Sequence, residues 1–323
     1  MLDADKIFNV DHKNFEQSSF EVFEFQYKNN PVYKSYCDLL KKTPANIKEI
    51  SAIPFLPISF FKSHYVSCTK KFDKVFHSSG TTNESLSKHY VSDINIYEKS
   101  FLKNFIDNYG NPKDYVILGL LPNYMENENS SLIYMINNLI QLSKSNESGF
   151  FLGQYDFIIE KIKNLCKGNK KVILFGVSYA LLDLTENRNL NLKNTIIIET
   201  GGMKGRRREM IKKELHETLK QRTGLDKIHS EYGMTELLSQ AYSKGDGIFS
   251  CPNWMRVFVR DINDPNFLNT NSKTGGINII DLANVNSCSF IATDDMGSIH
   301  KNGSFEIMGR IDHSDTRGCN LLV

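Results

Sequence analysis

Through the first fifty positions, apolar residues fall at helical spacing. Phe15, Phe20, Phe23 and Tyr27 recur about once per turn and predict amphipathic helices with aromatic faces. Ile53-Pro54-Phe55-Leu56-Pro57-Ile58 then breaks the pattern, because two prolines exclude helix and require an extended apolar segment. Short apolar runs of strand length follow: Phe72 to Phe76, Tyr115 to Leu121, Val172 to Phe175 and Thr195 to Thr200. Most are near-continuous β-branched runs, as parallel strands buried on both faces require. Helical patterns lie between them, such as Glu209 to Leu219, where Ile211, Leu215 and Leu219 share one face.

This alternation predicts an α/β fold with a mainly parallel sheet flanked by helices, which binds ligands at the carboxyl ends of its strands. The chain changes character after about residue 245. Pro252 to Arg260, Gly276 to Asp281 and Ser289 to Thr293 are shorter strand candidates between turn residues. The expected organisation is an α/β body over 1–245, a small β-rich lobe over 246–310 and a tail over 311–323.

Composition narrows the function. At 323 residues, 40% hydrophobic and 24% charged, the chain reads as an ordinary globular protein. A net charge of +2 gives no field that would recruit nucleic acid or an anionic membrane. The cysteines are scattered without a C-x-x-C pair, which argues against structural zinc and a disulfide framework and suits a reducing cytosol. No segment has the length of a membrane span, and the N-terminus lacks the apolar run of a signal peptide. The expectation is a soluble cytoplasmic protein.

Four constellations carry chemistry. Ser78-Ser79-Gly80-Thr81-Thr82-Asn83-Glu84-Ser85 follows a strand, and its small residues and hydroxyls suit a phosphate nest, although a solvated Ser/Thr loop looks the same. No Gly-Lys-Ser/Thr closes it, so it is not a Walker A loop. In Glu231-Tyr232-Gly233-Met234-Thr235-Glu236, an aromatic can stack on a base, a threonine can reach a phosphate and a carboxylate can hold Mg²⁺. A strand end leading into a helix reads alike. Thr293-Asp294-Asp295-Met296-Gly297 offers an aspartate for ribose hydroxyls, and Gly309-Arg310-Ile311-Asp312 offers a cation for phosphate. Each of these two also has the look of a common turn.

In this order the set resembles the adenylate-forming superfamily of acyl-CoA synthetases, luciferases and related ligases. The resemblance implies a substrate-activating site for ATP and Mg²⁺. Ser78, Ser79, Gly80, Thr81, Thr82 and Ser85 would hold the β,γ-phosphates. Tyr232 would stack on adenine, Gly233 beside it would belong to the nucleotide site, Thr235 would touch the α-phosphate and Glu236 would hold Mg²⁺. Asp295 would bind the ribose, Arg310 ribose or phosphate, and Gly201-Gly202 would lie beside adenine and the acyl pocket. Asn83 stands where the superfamily usually has glycine, a substitution that a left-handed backbone tolerates. The chain ends thirteen residues after Arg310, which implies that the C-terminal lid and its lysine are absent.

Within the superfamily, the acyl-protein synthetases of the bacterial luminescence fatty-acid reductase complex are similar from about residue 50 onward. The shared stretches are Ile53 to Ile58 with Phe61-Lys62, then Glu199-Thr200-Gly201-Gly202-Met203-Lys204, and Arg317-Gly318-Cys319-Asn320-Leu321-Leu322. The resemblance implies that Cys319 takes the acyl group from the adenylate as a thioester and passes it to an acyl reductase subunit. His313 and Arg317 would favour its thiolate. An incidental cysteine on a frayed terminus is the alternative.

Other features have two readings. Lys204, Arg206, Arg207 and Arg208 would clasp pyrophosphate, with Lys204 in place of the lid lysine, or form a solvated helix face. His77 would touch the acyl carboxylate or fill a strand end, and His229 is expected to pack beside Tyr232. Phe175 to Leu182 would line an acyl tunnel or the core. The expected activity is a long-chain fatty acid–protein ligase working through an acyl-adenylate, possible as a homo- or hetero-oligomer. The alternatives are an acyl- or aryl-CoA ligase with its lid lost or supplied by another chain, and a non-catalytic nucleotide-binding subunit.

Overall fold

The computed structural model describes residues 4–78, 86–122, 125, 127–168, 170–202, 210–264, 266–268 and 274–311. Helices α1 (Ala4–Phe8), α2 (Phe15–Asn29) and α3 (Pro31–Leu39) open the chain. The side chain of Asn30 accepts from the Val32 and Tyr33 N–H groups at 3.0 Å, and Pro31 occupies the first turn, so this short link both ends α2 and starts α3. The proline-bearing segment is extended as expected and ends in β1 (Leu56–Pro57), ahead of α4 (Phe60–Ser63).

Strand β2 (Lys74–His77) pairs antiparallel with β3 (Lys88–Val91) in a separate ribbon. The expected strand at Phe72 therefore starts two residues later and lies outside the parallel sheet, with Phe72 itself exposed. Helix α5 (Ile94–Tyr109) follows, capped by the Asp93 carboxylate on the Asn95 N–H at 3.0 Å.

The parallel sheet is built from β4 (Tyr115–Leu120), β5 (Gly149–Phe150), β6 (Lys171–Gly176), β7 (Thr195–Glu199) and β8 (His229–Tyr232), in the spatial order β5-β4-β6-β7-β8. Antiparallel β9 (Ala241–Ser243) extends it beyond β8. Every residue of β4 is buried, so both faces are covered, which is why its sequence is apolar without alternation. The cover comes from α6 (Ser131–Leu142), α7 (Tyr155–Lys167), α8 (Ser178–Thr185) and α9 (Lys212–Thr223). Helix α9 starts after Ile211, which is exposed, while Leu215 and Leu219 are buried as their spacing predicts.

The second sheet runs β10 (Ile248–Phe249), β14 (Phe305–Arg310), β13 (Phe290–Ile299), β12 (Thr274–Asp281) and β11 (Met255–Arg260), all antiparallel, with β1 parallel beside β13. The N-terminal helices cover this sheet. Gln26 donates to the Asn284 and Val285 carbonyls at 2.9 and 3.0 Å and accepts from the Ser289 N–H at 2.9 Å. Phe290 stacks on Tyr33 and meets Phe23 edge-on. Buried side chains of both sheets join in one hydrophobic core, so residues from both sides of position 245 pack together. Among the described residues no helix is long and apolar enough to cross a membrane.

Candidate active site

The site lies where the carboxyl ends of the parallel strands face the second sheet. Strand β7 ends in Glu199, a charge that closes an apolar run and is 1% exposed. Its Oε1 accepts from the Ser178 hydroxyl at 2.7 Å and the Gly201 N–H at 2.6 Å. Its Oε2 accepts from the Lys212 ammonium at 2.7 Å and the Ser230 hydroxyl at 3.1 Å. Burial raises this carboxyl's pKa, but the Lys212 charge and the hydrogen bonds from His216, Lys212 and Ser178 outweigh it and hold the group well below its ordinary value. One carboxylate thus ties the ends of β6, β7 and β8 to the start of α9. Gly201 and Gly202 follow at φ +76° and +88°, a left-handed turn that a Cβ would strain.

Strand β8 delivers the second motif. Successive side chains leave a strand on opposite faces, so Ser230 and Tyr232 point one way and Glu231 the other. The Tyr232 hydroxyl donates to Asp295 Oδ2 at 2.7 Å, and its ring packs on Phe249 and Phe305. Asp295 sits opposite Arg310 in the β13–β14 ladder, with Arg310 Nε 3.7 Å from Asp295 Oδ1. Burial pushes the Asp295 carboxyl above its ordinary value, against the pull of Tyr232 and Arg310. The turn after Tyr232 is clamped from the second sheet. Asp281 accepts from the Leu238 and Ser239 N–H groups at 2.9 Å, and Asn284 donates to the Glu236 carbonyl at 2.7 Å. From the β2–β3 ribbon, His89 Nδ1 donates to the Thr235 carbonyl at 2.8 Å.

These parts enclose one cavity of ≈ 720 Å³, within the roughly 300–1,000 Å³ of small-molecule sites. Ser78, Gly201, Gly202, Tyr232 and Gly233 all line it. Thr235, Glu236, Asp295 and Arg310 line it as well, so residues from four separate motifs share one wall system. Ser78 is fixed by its hydroxyl, which accepts from the Ser87 N–H at 2.9 Å. The remaining loop residues Ser79, Gly80, Thr81, Thr82 and Ser85 lie outside the described residues, as do Lys204, Arg206, Arg207, Arg208, His313, Arg317 and Cys319.

Glu236 is 5% exposed, and burial raises its pKa, with Ser87 and Arg310 pulling it down. A carboxyl desolvated at a cavity wall gains most from an arriving cation, which fits a Mg²⁺ site completed by substrate phosphates. Among the described residues no cluster of three or more His, Cys, Asp or Glu is placed to hold a metal by itself.

Among the lining residues not singled out from sequence are Lys212 and Gln240. Lys212 is the first residue of an ordinary-looking amphipathic helix, and only Glu199 across the turn makes it a partner. His77 lines the cavity. His229 packs on Tyr109, whose hydroxyl is 3.2 Å from its Nδ1, rather than on Tyr232, because it shares the opposite strand face with Glu231. Of the stretch from Phe175 to Leu182, Val177 and Tyr179 line the cavity while Phe175, Ala180, Leu181 and Leu182 are buried.

The family described as LuxE, acyl-protein synthetase, matches residues 5–323. The chain belongs to the LuxE family. Among solved structures it is similar to 2-hydroxyisobutyryl-CoA ligase in the postadenylation state in complex with 2-HIB-AMP. That match has 12% identity and a TM-score of 0.68, and covers 93% of this chain and 68% of that one. The open conformation of the same ligase, in complex with 2-HIB-AMP and CoA, matches with 11% identity and a TM-score of 0.67, over 92% and 74% of the two chains. ATP-bound MatB from Rhodopseudomonas palustris has 16% identity and a TM-score of 0.55, over 73% of this chain and 47% of that one. The LuxE-family chain thus spans about half the length of the MatB chains it matches. No curated protein matches it in sequence. At these identities the likeness is one of fold: the chain has the large-domain fold of adenylate-forming enzymes.

Proposed function

We propose that the protein is an ATP-dependent acyl-protein ligase that activates a fatty acid and takes the acyl group onto its own Cys319. A carboxylate oxygen of the acid attacks the α-phosphorus of Mg·ATP, the bond to the bridging oxygen breaks, and pyrophosphate leaves with acyl-AMP retained. The Cys319 thiolate then attacks the acyl carbonyl, forming a thioester and expelling AMP. An acyl reductase subunit receives the acyl group.

The observation that carries this reading is the convergence of Ser78, Gly201, Tyr232, Thr235, Glu236, Asp295 and Arg310 on one cavity. Tyr232 presents an aromatic face, with its hydroxyl committed to Asp295. Asp295 Oδ1, 3.7 Å from Arg310 Nε, would accept from a ribose hydroxyl. Arg310, whose side chain is 75% exposed, can swing toward phosphate. Bound at Glu236, Mg²⁺ would neutralise phosphate oxygens as charge builds on the departing pyrophosphate. The similar solved structures named with acyl-AMP and ATP ligands share this fold, and the family name carries the protein acceptor.

The test combines ATP–pyrophosphate exchange with labelling. Purified protein, Mg·ATP and radiolabelled tetradecanoic acid should give a hydroxylamine-labile band on a denaturing gel. Cys319→Ala should lose the band and keep exchange. A stable band in Cys319→Ala would refute the acceptor assignment, and formation of acyl-CoA without labelled protein would favour a CoA ligase. Absence of acid-dependent exchange would leave a nucleotide-binding subunit.

A further inference from the structure

On the face of β8 opposite Tyr232, Glu231 also lines the cavity. Tyr97 of α5, Leu132, Ile133 and Met135 of α6, and Gln240 line it as well. Most of this wall is apolar, as an acyl chain requires. Glu231 and Gln240 break it. They are 7% and 4% exposed, and Gln240 Oε1 is buried with no hydrogen-bond partner. No hydrogen bond from a described residue reaches the Glu231 carboxyl. The two side chains flank Gly233 together, where an added Cβ would meet Glu231 Oε1 at 2.4 Å and Gln240 Cγ at 3.3 Å.

Neighbouring charges are already engaged. Glu199 holds Lys212, and Glu236 lies on the phosphate side. Burial, then the negative charge of Glu199, push the Glu231 acid up to about 8, against the pull of Lys212. An unsubstituted alkyl chain beside them would leave the buried Gln240 Oε1 without a partner and offer none to the Glu231 carboxyl, an arrangement proteins avoid.

We infer that the acid activated here carries a hydrogen-bond donor along its chain, a hydroxyl or an amine, which Glu231 and Gln240 read. The inference rests on the acid-activating function proposed above. The adenylate is formed at the carboxyl end, beside Thr235 and Gly201, while the substituent is held on the far face of β8. Glu231 and Gln240 are thus specificity-determining residues, and a chain lacking the donor is selected against.

The experiment measures ATP–pyrophosphate exchange by the full chain across paired acids: tetradecanoic acid and shorter straight-chain acids, each against versions hydroxylated or aminated at successive carbons. At least one substituted acid should exceed its unsubstituted parent in kcat/KM by about tenfold or more, and the winning series tells hydroxyl from amine. Glu231→Leu combined with Gln240→Leu should bring that ratio close to one. The inference is overturned if unsubstituted acids match every substituted partner in the unaltered protein, or if the ratio survives in the folded double variant. The first comparison decides even where the double variant fails to fold. Failure of every acid to support exchange would instead sink the acid-activating reading itself.

Discussion

Replacing Glu199 by alanine tests whether one buried carboxylate organises the site. The substitution removes the acceptor of the Ser178 and Ser230 hydroxyls and the Gly201 N–H, and strands the Lys212 ammonium, 24% exposed, over the Phe249 ring. Breaking a buried pair from one side costs about 3–5 kcal/mol. Lys212 keeps some contact with cavity water, so the lower end, about 3 kcal/mol, is expected. Glu199→Gln keeps one acceptor oxygen but turns N–H groups toward other donors, and should cost about 2 kcal/mol.

Glu199→Gln combined with Lys212→Met should be less destabilised than the sum of the single changes, because each single change leaves the other charge uncompensated. Urea unfolding followed by the fluorescence of Trp254, the single tryptophan, measures all of these at pH 7. Because the folded pKa of Glu199 is depressed, its contribution is present above the ordinary value of 4.5 and lost as pH falls toward the folded value. The gap between wild type and Glu199→Ala should therefore narrow below about pH 4.5. A loss under about 1 kcal/mol for Glu199→Ala at pH 7, or full additivity in the double variant, would refute the network.

Glu231 has the opposite sign. Its folded pKa is raised from 4.5 to about 8, so the native state binds the extra proton between those values and stability falls as pH rises, by up to about 1.4 kcal/mol per pH unit. Glu231→Gln should remove that slope, and urea titrations at pH 5 and pH 8 would show it; equal slopes would contradict the raised pKa. Gly297→Ala would place a Cβ 2.2 Å from the Glu306 carbonyl oxygen on the neighbouring strand, and should destabilise by about 1–3 kcal/mol in thermal or urea unfolding. Asp295→Ala should weaken ATP binding by tenfold or more in calorimetric titration while changing stability less, since its Tyr232 bond lies at the cavity wall; unchanged ATP affinity would remove it from the nucleotide site.

The chain's own pattern determined the parallel strands, because a run such as Tyr115 to Leu120 must be buried on both faces, and only a sheet covered by helices provides that. It also marked Ser78, Tyr232, Glu236, Asp295 and Arg310 as candidates, each ambiguous alone and legible only through the order of their motifs and the resemblance that order carries; the structure brings all five to one cavity. The helices read over residues 1–50 form as far as Leu39, with turns beyond it, but their partner was not legible: Gln26 meets carbonyls 258 and 259 positions away. Phe72 was misleading, because an exposed aromatic beside a strand looks like part of it. Lys212 and Gln240 carry no local signal at all. Their meaning comes from what folding places beside them, a buried carboxylate for Lys212 and Glu231 on the shared cavity wall for Gln240, and long-range juxtaposition of that kind is decided only by the tertiary structure.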